Sequence, residues 1–122
     1  LGDVYKRQEQ SLLVQELAEK SDCVIVGRSA DYILRDKKPL RLFIYADMES
    51  RMERCRKRAP EQEHFTDKEL RRHIQDVDKR RSKYYQFFTG QTWGEKLNYD
   101  LCINTSGANI EDLVKVIAKL VK

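Results

Sequence analysis

Apolar residues recur at helical spacing in several stretches of the chain. In residues 9–20, Leu13 and Leu17 fall on one side of a helix, and the last stretch follows the helical period most closely. Pro60 breaks the chain between two other helical stretches. The pattern predicts helices over residues 9–20, 48–58, 66 to about 88, and 110–121.

Capping residues mark the ends of these predicted helices. Asp47 and Asn109 each precede a helical stretch, and their side chains can accept a hydrogen bond from its first turn. Thr66 with Glu69 three residues later has the signature of a capping box. Gly90 follows the last aromatic residue of the long stretch and is a natural helix stop.

Three short apolar runs are typical of buried strands: Cys23–Val26, residues 40–45 and residues 101–104. Helical stretches separate them, and no turn resembles a two-residue hairpin. The sequence therefore predicts an α/β fold with a parallel sheet between two layers of helices. Ligands of such sheets bind at the carboxyl ends of the strands. The residues at the ends of the three runs, Gly27-Arg28-Ser29, Ala46-Asp47 and Asn104-Thr105-Ser106, are the places to look for a site.

Composition narrows the class of protein. The chain has 122 residues, enough for one small domain, with 40% hydrophobic and 36% charged residues. The net charge is +4, and residues 51–83 carry twelve basic and seven acidic side chains, so the positive surplus lies in that segment. An anionic partner is expected there: a phosphate, a nucleotide, a nucleic acid or an acidic protein.

Cysteine usage and hydropathy indicate a cytoplasmic protein. The three cysteines are widely spaced and form no CxxC pair, and Cys23 and Cys102 lie in apolar runs, so both are expected in the core. The two histidines are nine residues apart, and no metal site is expected. No apolar run approaches the length of a membrane span. The chain begins at Leu1 without an initiator methionine, which indicates a piece of a longer protein.

Arginines are the main candidates for chemistry. Arg28 follows a glycine at the end of a predicted strand and could bind a phosphate, or form a structural salt bridge. Arg51, Arg54 and Arg58 share one helix face, which suits a lid over a nucleotide. Taken alone, these three arginines are better explained as an ordinary basic helix surface that is exposed to solvent.

A third group is the run Asp78–Tyr85, DKRRSKYY, where arginines lead into two tyrosines. Such a run could bind phosphate and stack on a base, although aromatic side chains at helical spacing more often belong to a core. Neither a GxxxxGK[ST] phosphate loop nor a GxGxxG motif occurs at any of the five glycines.

Several segments together resemble the carboxyl-terminal part of the cytidylate kinase-like family of P-loop nucleotide kinases. They are CVIVGRSADYIL, RLFIYAD, DKRRSKYYQFFTGQTWG and NYDLCINTS with the final amphipathic helix. The resemblance covers residues 9–122 and leaves residues 1–8 unmatched. It places the lid and its helices at about residues 48–90. It implies transfer of the γ-phosphoryl group of ATP, with Mg²⁺, to CMP or a similar nucleotide.

The resemblance also implies roles for single residues. Arg80 and Arg54 match arginines near the transferring phosphoryl group, and Arg51 and Arg54 match arginines that approach ATP. In better studied members an acidic residue that reads the base follows the GR pair, whereas here Ser29 holds that position and the acidic residue comes two positions later. The residues expected in the monophosphate site are Arg28, Asp31, Arg81 and Tyr84.

The family's strand order, 2-3-1-4-5, identifies the three predicted strands as strands 3, 4 and 5 and leaves strand 1 and the phosphate loop missing. The chain should then pair strands 3 and 4 directly, be marginally stable, or associate with another chain through its unpaired strand edges. Alone it should be inactive and bind no cofactor tightly, and it should contact neither nucleic acid nor membrane. The alternatives are a small basic module that binds nucleic acid and a P-loop kinase for another small metabolite.

Overall fold

The computed structural model describes residues 2–59 and 64–121, so Pro60 lies outside the described residues. Within these ranges the chain forms five α-helices and a two-stranded parallel sheet, which confirms the α/β class. The helices are α1 (Gly2–Lys20), α2 (Ala30–Ile33), α3 (Met48–Arg58), α4 (Asp67–Thr89) and α5 (Ile110–Ala118). The strands are β1 (Leu42–Tyr45) and β2 (Leu101–Asn104). The three-layer arrangement of P-loop kinase type stays a prediction.

The two strands pair in parallel, with Leu42 opposite Leu101 and Tyr45 opposite Asn104. Helices α3 and α4 lie in the connection between them, as parallel strands require a long crossover. Both strands therefore end at the same edge of the sheet, where the chain continues into Asp47 on one side and Thr105 on the other.

Helices α3 and α4 begin and end where their capping residues predict. The Asp47 side chain accepts a hydrogen bond from the Ser50 N–H at 2.7 Å. Thr66 and Glu69 form both bonds of the capping box at 3.2 Å. Gly90 has a φ of 73°, the left-handed conformation that glycine adopts easily, and its N–H bonds back to the helix. These local predictions are confirmed.

Helices α3 and α4 pack together through a small apolar cluster. Met52, Leu70 and Ile74 are buried in it, and Leu70 is completely inaccessible to solvent. The ion pair between Arg71 and Glu49, 2.9 Å, joins the same two helices at the surface. The two helices thus form one unit that can hold side chains in place at the carboxyl edge of the sheet.

The predicted strand at Cys23–Val26 is wrong. In the described part of the chain this run has no regular secondary structure and belongs to no sheet, with Val24 93% and Val26 86% exposed. Only Ile25 packs inward, against the cluster that contains Val14. A strand needs a neighbour to satisfy its backbone groups, and β1 does not supply one. Of the three alternatives given for the unpaired strand edges, direct pairing of this run with the next strand is therefore not formed in the described residues.

Two expectations about burial are also wrong. Cys23 and Cys102 are both exposed, because two strands and a separate unpaired run do not enclose a core around them. Helix α1 begins at Gly2, earlier than residue 9, and buries Val14, whereas Leu13 and Leu17 remain exposed. The leucine stripe of α1 thus faces solvent over its described length.

Helix α5 forms behind its predicted cap, since the Asn109 side chain accepts a hydrogen bond from the Asp112 N–H at 3.1 Å. The helix ends at Ala118, three residues before the apolar pattern does. None of its residues is buried, although its apolar face is pronounced. Across residues 2–59 and 64–121, no helix has both the length and the apolar composition that a membrane span requires.

Candidate functional site

Two clefts open at opposite ends of the short sheet. The larger, about 460 Å³, lies at the amino ends of the strands. There Arg41 pairs with Asp100 at 3.3 Å, and hydrogen bonds from the Arg41 backbone and side chain lower the pKa of Asp100. Arg35 and Lys38 also line this cleft, so its net charge is +2. It is the weaker candidate because it lies at the amino ends of the strands, whereas parallel α/β sheets bind ligands at the carboxyl ends.

The second cleft, about 340 Å³, lies at the carboxyl ends of the strands, and we call it the arginine cleft. This is the end at which parallel α/β sheets bind ligands. It is lined by Arg51, Arg54 and Arg81, by Asp78 and Thr105, and by Trp93 with the β1 edge residues Phe43, Ile44, Tyr45 and Ala46. The structure thus brings three of the predicted arginines together.

Arg51 is held by a carboxylate from the neighbouring helix. Its two terminal nitrogens donate to the two carboxylate oxygens of Asp78, each at 2.7 Å, across the α3–α4 contact. These hydrogen bonds raise the pKa of Arg51 above its usual value, so the guanidinium stays charged. Because Asp78 offsets that charge, Arg51 contributes to the shape of the cleft more than to its net charge.

Arg54 is held by neutral acceptors. One terminal nitrogen donates to the Thr105 hydroxyl at 2.8 Å, and the other donates to the Thr105 carbonyl at 2.6 Å. No carboxylate of the described chain forms an ion pair with Arg54. Its guanidinium is therefore fixed in orientation and keeps its full charge.

Arg81 is exposed on α4, and in residues 2–59 and 64–121 its side chain has no hydrogen-bond or ion-pair partner. Three arginines and Asp78 give the arginine cleft a net charge of +2. Because the fixed positive charge of Arg54 lies beside the free side chain of Arg81, the cleft suits a multiply charged anion such as a phosphate chain.

Aromatic side chains form one wall of the arginine cleft. Phe43 contacts Trp93 edge-on, with ring centroids 5.4 Å apart, and lies 5.0 Å from the ring of Tyr99. Gly94 has a φ of 84°, and a Cβ there would meet the Phe43 ring at 3.2 Å, so the turn after Trp93 needs glycine. This wall could stack on a planar base.

Arg28 lies outside the arginine cleft, in a turn after the unpaired run. Gly27, Arg28 and Ser29 all have positive φ, 71°, 58° and 53°. The Gln10 side-chain amide donates to the Arg28 carbonyl at 3.0 Å and to the Tyr84 hydroxyl at 3.3 Å. The turn is thus tied to α1 and α4, while the Arg28 side chain is exposed.

Asp31 contacts a tyrosine. The buried Tyr85 hydroxyl donates to Asp31 Oδ2 at 2.6 Å and lies 3.0 Å from Gln91 Oε1. Burial, and then the hydrogen bond to Asp31, raise the pKa of Tyr85 well above its usual value, so the hydroxyl remains a donor. This bond joins α2 to α4. Neighbouring Tyr84 is exposed; its hydroxyl accepts the hydrogen bond from Gln10 already described, and its ring lies 6.0 Å from that of Phe88.

Arg80 and Arg58 are exposed and do not line the arginine cleft. Arg80 lies one position from Arg81 on α4 and therefore points about 100° away around the helix. The family resemblance predicted a catalytic role for Arg80, whereas in the structure the adjacent Arg81 lines the cleft.

Two polar residues of the cleft, Asp78 and Thr105, were not among the predicted site residues. Thr105 follows a strand, a position that sequence reasoning marked for inspection, and Asp78 begins the DKRR run. Sequence carries no sign that these residues meet Arg54 and Arg51, because the partners are 51 and 27 positions apart.

Mg²⁺, which the resemblance implies, does not fit the described residues on their own. Magnesium sites that assist phosphoryl transfer use one or two carboxylates together with phosphate oxygens. The only carboxylate that lines the arginine cleft is Asp78, and both its oxygens bind Arg51. No group of three or more His, Cys, Asp or Glu side chains in the described residues could hold a metal.

Comparison with solved structures finds an uncharacterized protein from Eubacterium ventriosum ATCC 27560. Its crystal structure matches with a TM-score of 0.83 and 28% sequence identity, over 94% of this chain and 64% of that one. This chain thus spans less than two thirds of that protein's length. No curated protein matches. The model of the cytidylate kinase-like family matches residues 3–107. The chain belongs to the cytidylate kinase-like family.

Proposed function

We propose that this chain provides the arginine-rich side of a nucleotide kinase that transfers the γ-phosphoryl group of ATP to CMP or a similar nucleoside monophosphate. The observation that carries the proposal is the meeting of Arg51, Arg54 and Arg81 in one cleft at the carboxyl ends of parallel strands. Family membership supports a kinase-like activity. It does not favour a nucleic-acid-binding module.

Phosphoryl transfer depends on positioning and on neutralising the phosphate oxygens, and little covalent chemistry is asked of the protein. In the proposed role, Arg54 and Arg81 bind phosphate oxygens in the arginine cleft, and Arg51 lies beside them in a fixed orientation. Trp93 and Phe43 offer a surface on which a base can stack. Arg80, next to Arg81 on α4, would reach the transferring group from outside the cleft.

The monophosphate would contact the turn at Arg28 and the neighbouring Asp31. The Arg28 side chain is exposed, and one carboxylate oxygen of Asp31 already accepts from Tyr85. The proposal therefore uses the second oxygen of Asp31 for the base. Tyr84, about one helical turn from Arg80 and Arg81 on α4, would contribute its hydroxyl, which also accepts from Gln10.

The phosphate cradle for ATP is proposed to come from outside these 122 residues, because they contain no GxxxxGK[ST] motif. We therefore expect the chain to bind nucleotides but not to turn them over. A kinase assay with ATP, CMP and Mg²⁺ should show no product from the chain alone. Turnover would contradict the proposal that the cradle lies elsewhere.

Nucleotide binding can be followed by the fluorescence of Trp93, the chain's single tryptophan, which lines the arginine cleft. ATP should change the fluorescence, and Arg54→Ala should weaken ATP binding about tenfold, the loss expected for charged hydrogen bonds. Arg72→Ala is the matched control, because Arg72 is exposed on α4 and does not line the cleft. It should stay within about twofold of wild type.

Equal effects of the two substitutions would contradict a specific role for the cleft. Binding of a single-stranded oligonucleotide tests the alternative function, a basic module that binds nucleic acid. If both variants weaken oligonucleotide binding equally and ATP does not compete, the basic surface as a whole binds nucleic acid.

A further inference from the structure

The residue directly after β2 connects three elements. Thr105 is only 4% exposed, and its N–H donates to the Tyr45 carbonyl at 2.8 Å, which continues the ladder between the strands. Its carbonyl accepts from Arg54 and also from the Ala108 N–H at 3.1 Å. Thr105 therefore joins the ends of both strands to a side chain of α3.

The direction of the hydroxyl's hydrogen bonds follows from its partners. An arginine guanidinium can only donate, so the Thr105 oxygen accepts from Arg54 at 2.8 Å. The single hydroxyl hydrogen then points to the Tyr45 carbonyl, 3.1 Å away. Both bonds need the hydroxyl, and both are formed at a buried position. The hydroxyl orientation is thus determined, and with it one of the two contacts that fix Arg54.

The three arginines of the cleft differ in how they are held. Arg51 is fixed but balanced by Asp78, and Arg81 has no partner in the described residues. In the described residues, only Arg54 is both fixed at two points and without a carboxylate at ion-pair distance. Two of its five N–H donors bind Thr105, which leaves three for a ligand.

We infer that Thr105 is a positioning residue of the arginine cleft: its hydroxyl and carbonyl hold the Arg54 guanidinium in the orientation that binds a phosphate-bearing ligand. A neutral anchor fixes the side chain without consuming its charge, which a carboxylate in the same place would do. Binding then costs less side-chain entropy, because Arg54 is ordered beforehand. This inference rests on the proposed function of the arginine cleft.

The variants needed for the test differ by single groups. Thr105→Val removes the hydroxyl and keeps the shape, whereas Thr105→Ser keeps the hydroxyl. Thr89→Val is a matched control for burial, because the Thr89 hydroxyl is also buried and also forms two hydrogen bonds, to Tyr85 and Gln91, without an arginine. Circular dichroism and thermal melting establish that each variant is folded.

Two measurements on the whole chain follow: the affinity for inorganic pyrophosphate by titration calorimetry, and the Arg54 Nε–Hε signal by NMR. Thr105→Val should weaken pyrophosphate binding about fivefold and shift and broaden the Arg54 signal, because the guanidinium loses one of its two contacts. Thr105→Ser and Thr89→Val should both stay within about twofold of wild type and leave the signal in place.

Equal effects of Thr105→Val and Thr89→Val on affinity, or an Arg54 signal unchanged in Thr105→Val, would overturn the positioning role while the proposed function stands. A wild-type chain that binds neither pyrophosphate nor ATP would overturn the proposed function, and with it the ligand part of this inference. The Arg54 signal would then still decide whether Thr105 is the anchor.

Discussion

Two apolar runs of four residues have different structures in this chain. Leu42–Tyr45 is strand β1 and pairs with β2, whereas Cys23–Val26 has no regular secondary structure and no sheet partner in the described residues. Each contains branched apolar residues and each is followed by a polar turn. The difference lies in what is beside them, since a backbone can form a ladder only with a neighbour.

The difference extends to the residues after each run. Beyond β1, Tyr45 and Asp47 are fixed, because the Tyr45 carbonyl binds Thr105 and Asp47 caps α3. Beyond the unpaired run, the chain turns through Arg28 and Ser29 in the left-handed region, which non-glycine residues seldom adopt. The candidate site is thus ordered by packing on the β1 side and held by a single turn on the Arg28 side.

Amide hydrogen exchange measures this contrast directly and should give the largest effect. The Thr105 and Leu101 amides donate to carbonyls of Tyr45 and Arg41 across the sheet. They should exchange about a thousandfold more slowly than the amides of Val24 and Val26, as expected for bonds opened only by unfolding of a small domain. Exchange can be followed residue by residue by NMR.

Concentration provides the control for this experiment. If the exposed run pairs with a strand of a second copy of the chain, the amides of Val24 and Val26 become protected from exchange as the protein concentration rises. Protection equal to that of Thr105 in a dilute monomer would mean that the two runs do not differ as described.

Sequence predicted the parts of the fold that depend on neighbours in the chain. The ends of α3 and α4 follow from Asp47, Thr66 and Gly90, because a cap and the helix it begins or ends lie within a few residues of each other. The parallel relation of β1 and β2 followed from the long helical connection between them. These predictions needed no knowledge of tertiary contacts.

The rest could not be predicted because it depends on contacts between distant residues. Whether Cys23–Val26 forms a strand depends on a neighbouring strand from elsewhere, which the sequence of the run itself does not reveal. Sequence singled out Arg51 and Arg54 for their shared helix face, but their anchors Asp78 and Thr105 lie on other elements. The choice of Arg81 over Arg80 likewise depends on how α4 is rotated against β1.

Removal of a core side chain tests whether the order at the arginine cleft comes from α3 and α4. Leu70→Ala should lower the free energy of unfolding by about 2–5 kcal/mol, because Leu70 is fully buried between Met52 and Ile74. Urea denaturation measures the loss. Val24→Ala, in the unpaired run, should change the free energy of unfolding by less than about 0.5 kcal/mol.

The losses of stability in Leu70→Ala and Val24→Ala distinguish the α3–α4 cluster from the unpaired run. A loss at Val24 comparable to that at Leu70 would mean that the unpaired run is buried in solution. That result would contradict the contrast with β1 and favour self-association through the exposed valines.

The smallest effect is expected at the bond that joins the two regions. Tyr85→Phe removes the donor to Asp31 and should cost about 1.5–3 kcal/mol, the range for a hydrogen bond to a charged group. Tyr84→Phe is the matched control, since Tyr84 is exposed and accepts only a 3.3 Å hydrogen bond from Gln10. It should change stability by less than about 0.5 kcal/mol.

The pH dependence of the Tyr85→Phe effect tests whether the Tyr85 hydroxyl is kept protonated in the folded chain by its burial and its bond to Asp31. The pKa of Tyr85 is raised in the folded chain, so its contribution is complete below about pH 10, where unfolded tyrosine ionises, and declines at higher pH. The difference in unfolding free energy between wild type and Tyr85→Phe should be constant near neutral pH and shrink above about pH 10. A difference that persists unchanged above about pH 10 would mean that the pKa of Tyr85 is not raised in the folded chain, and would contradict a buried Tyr85 hydroxyl that donates to Asp31.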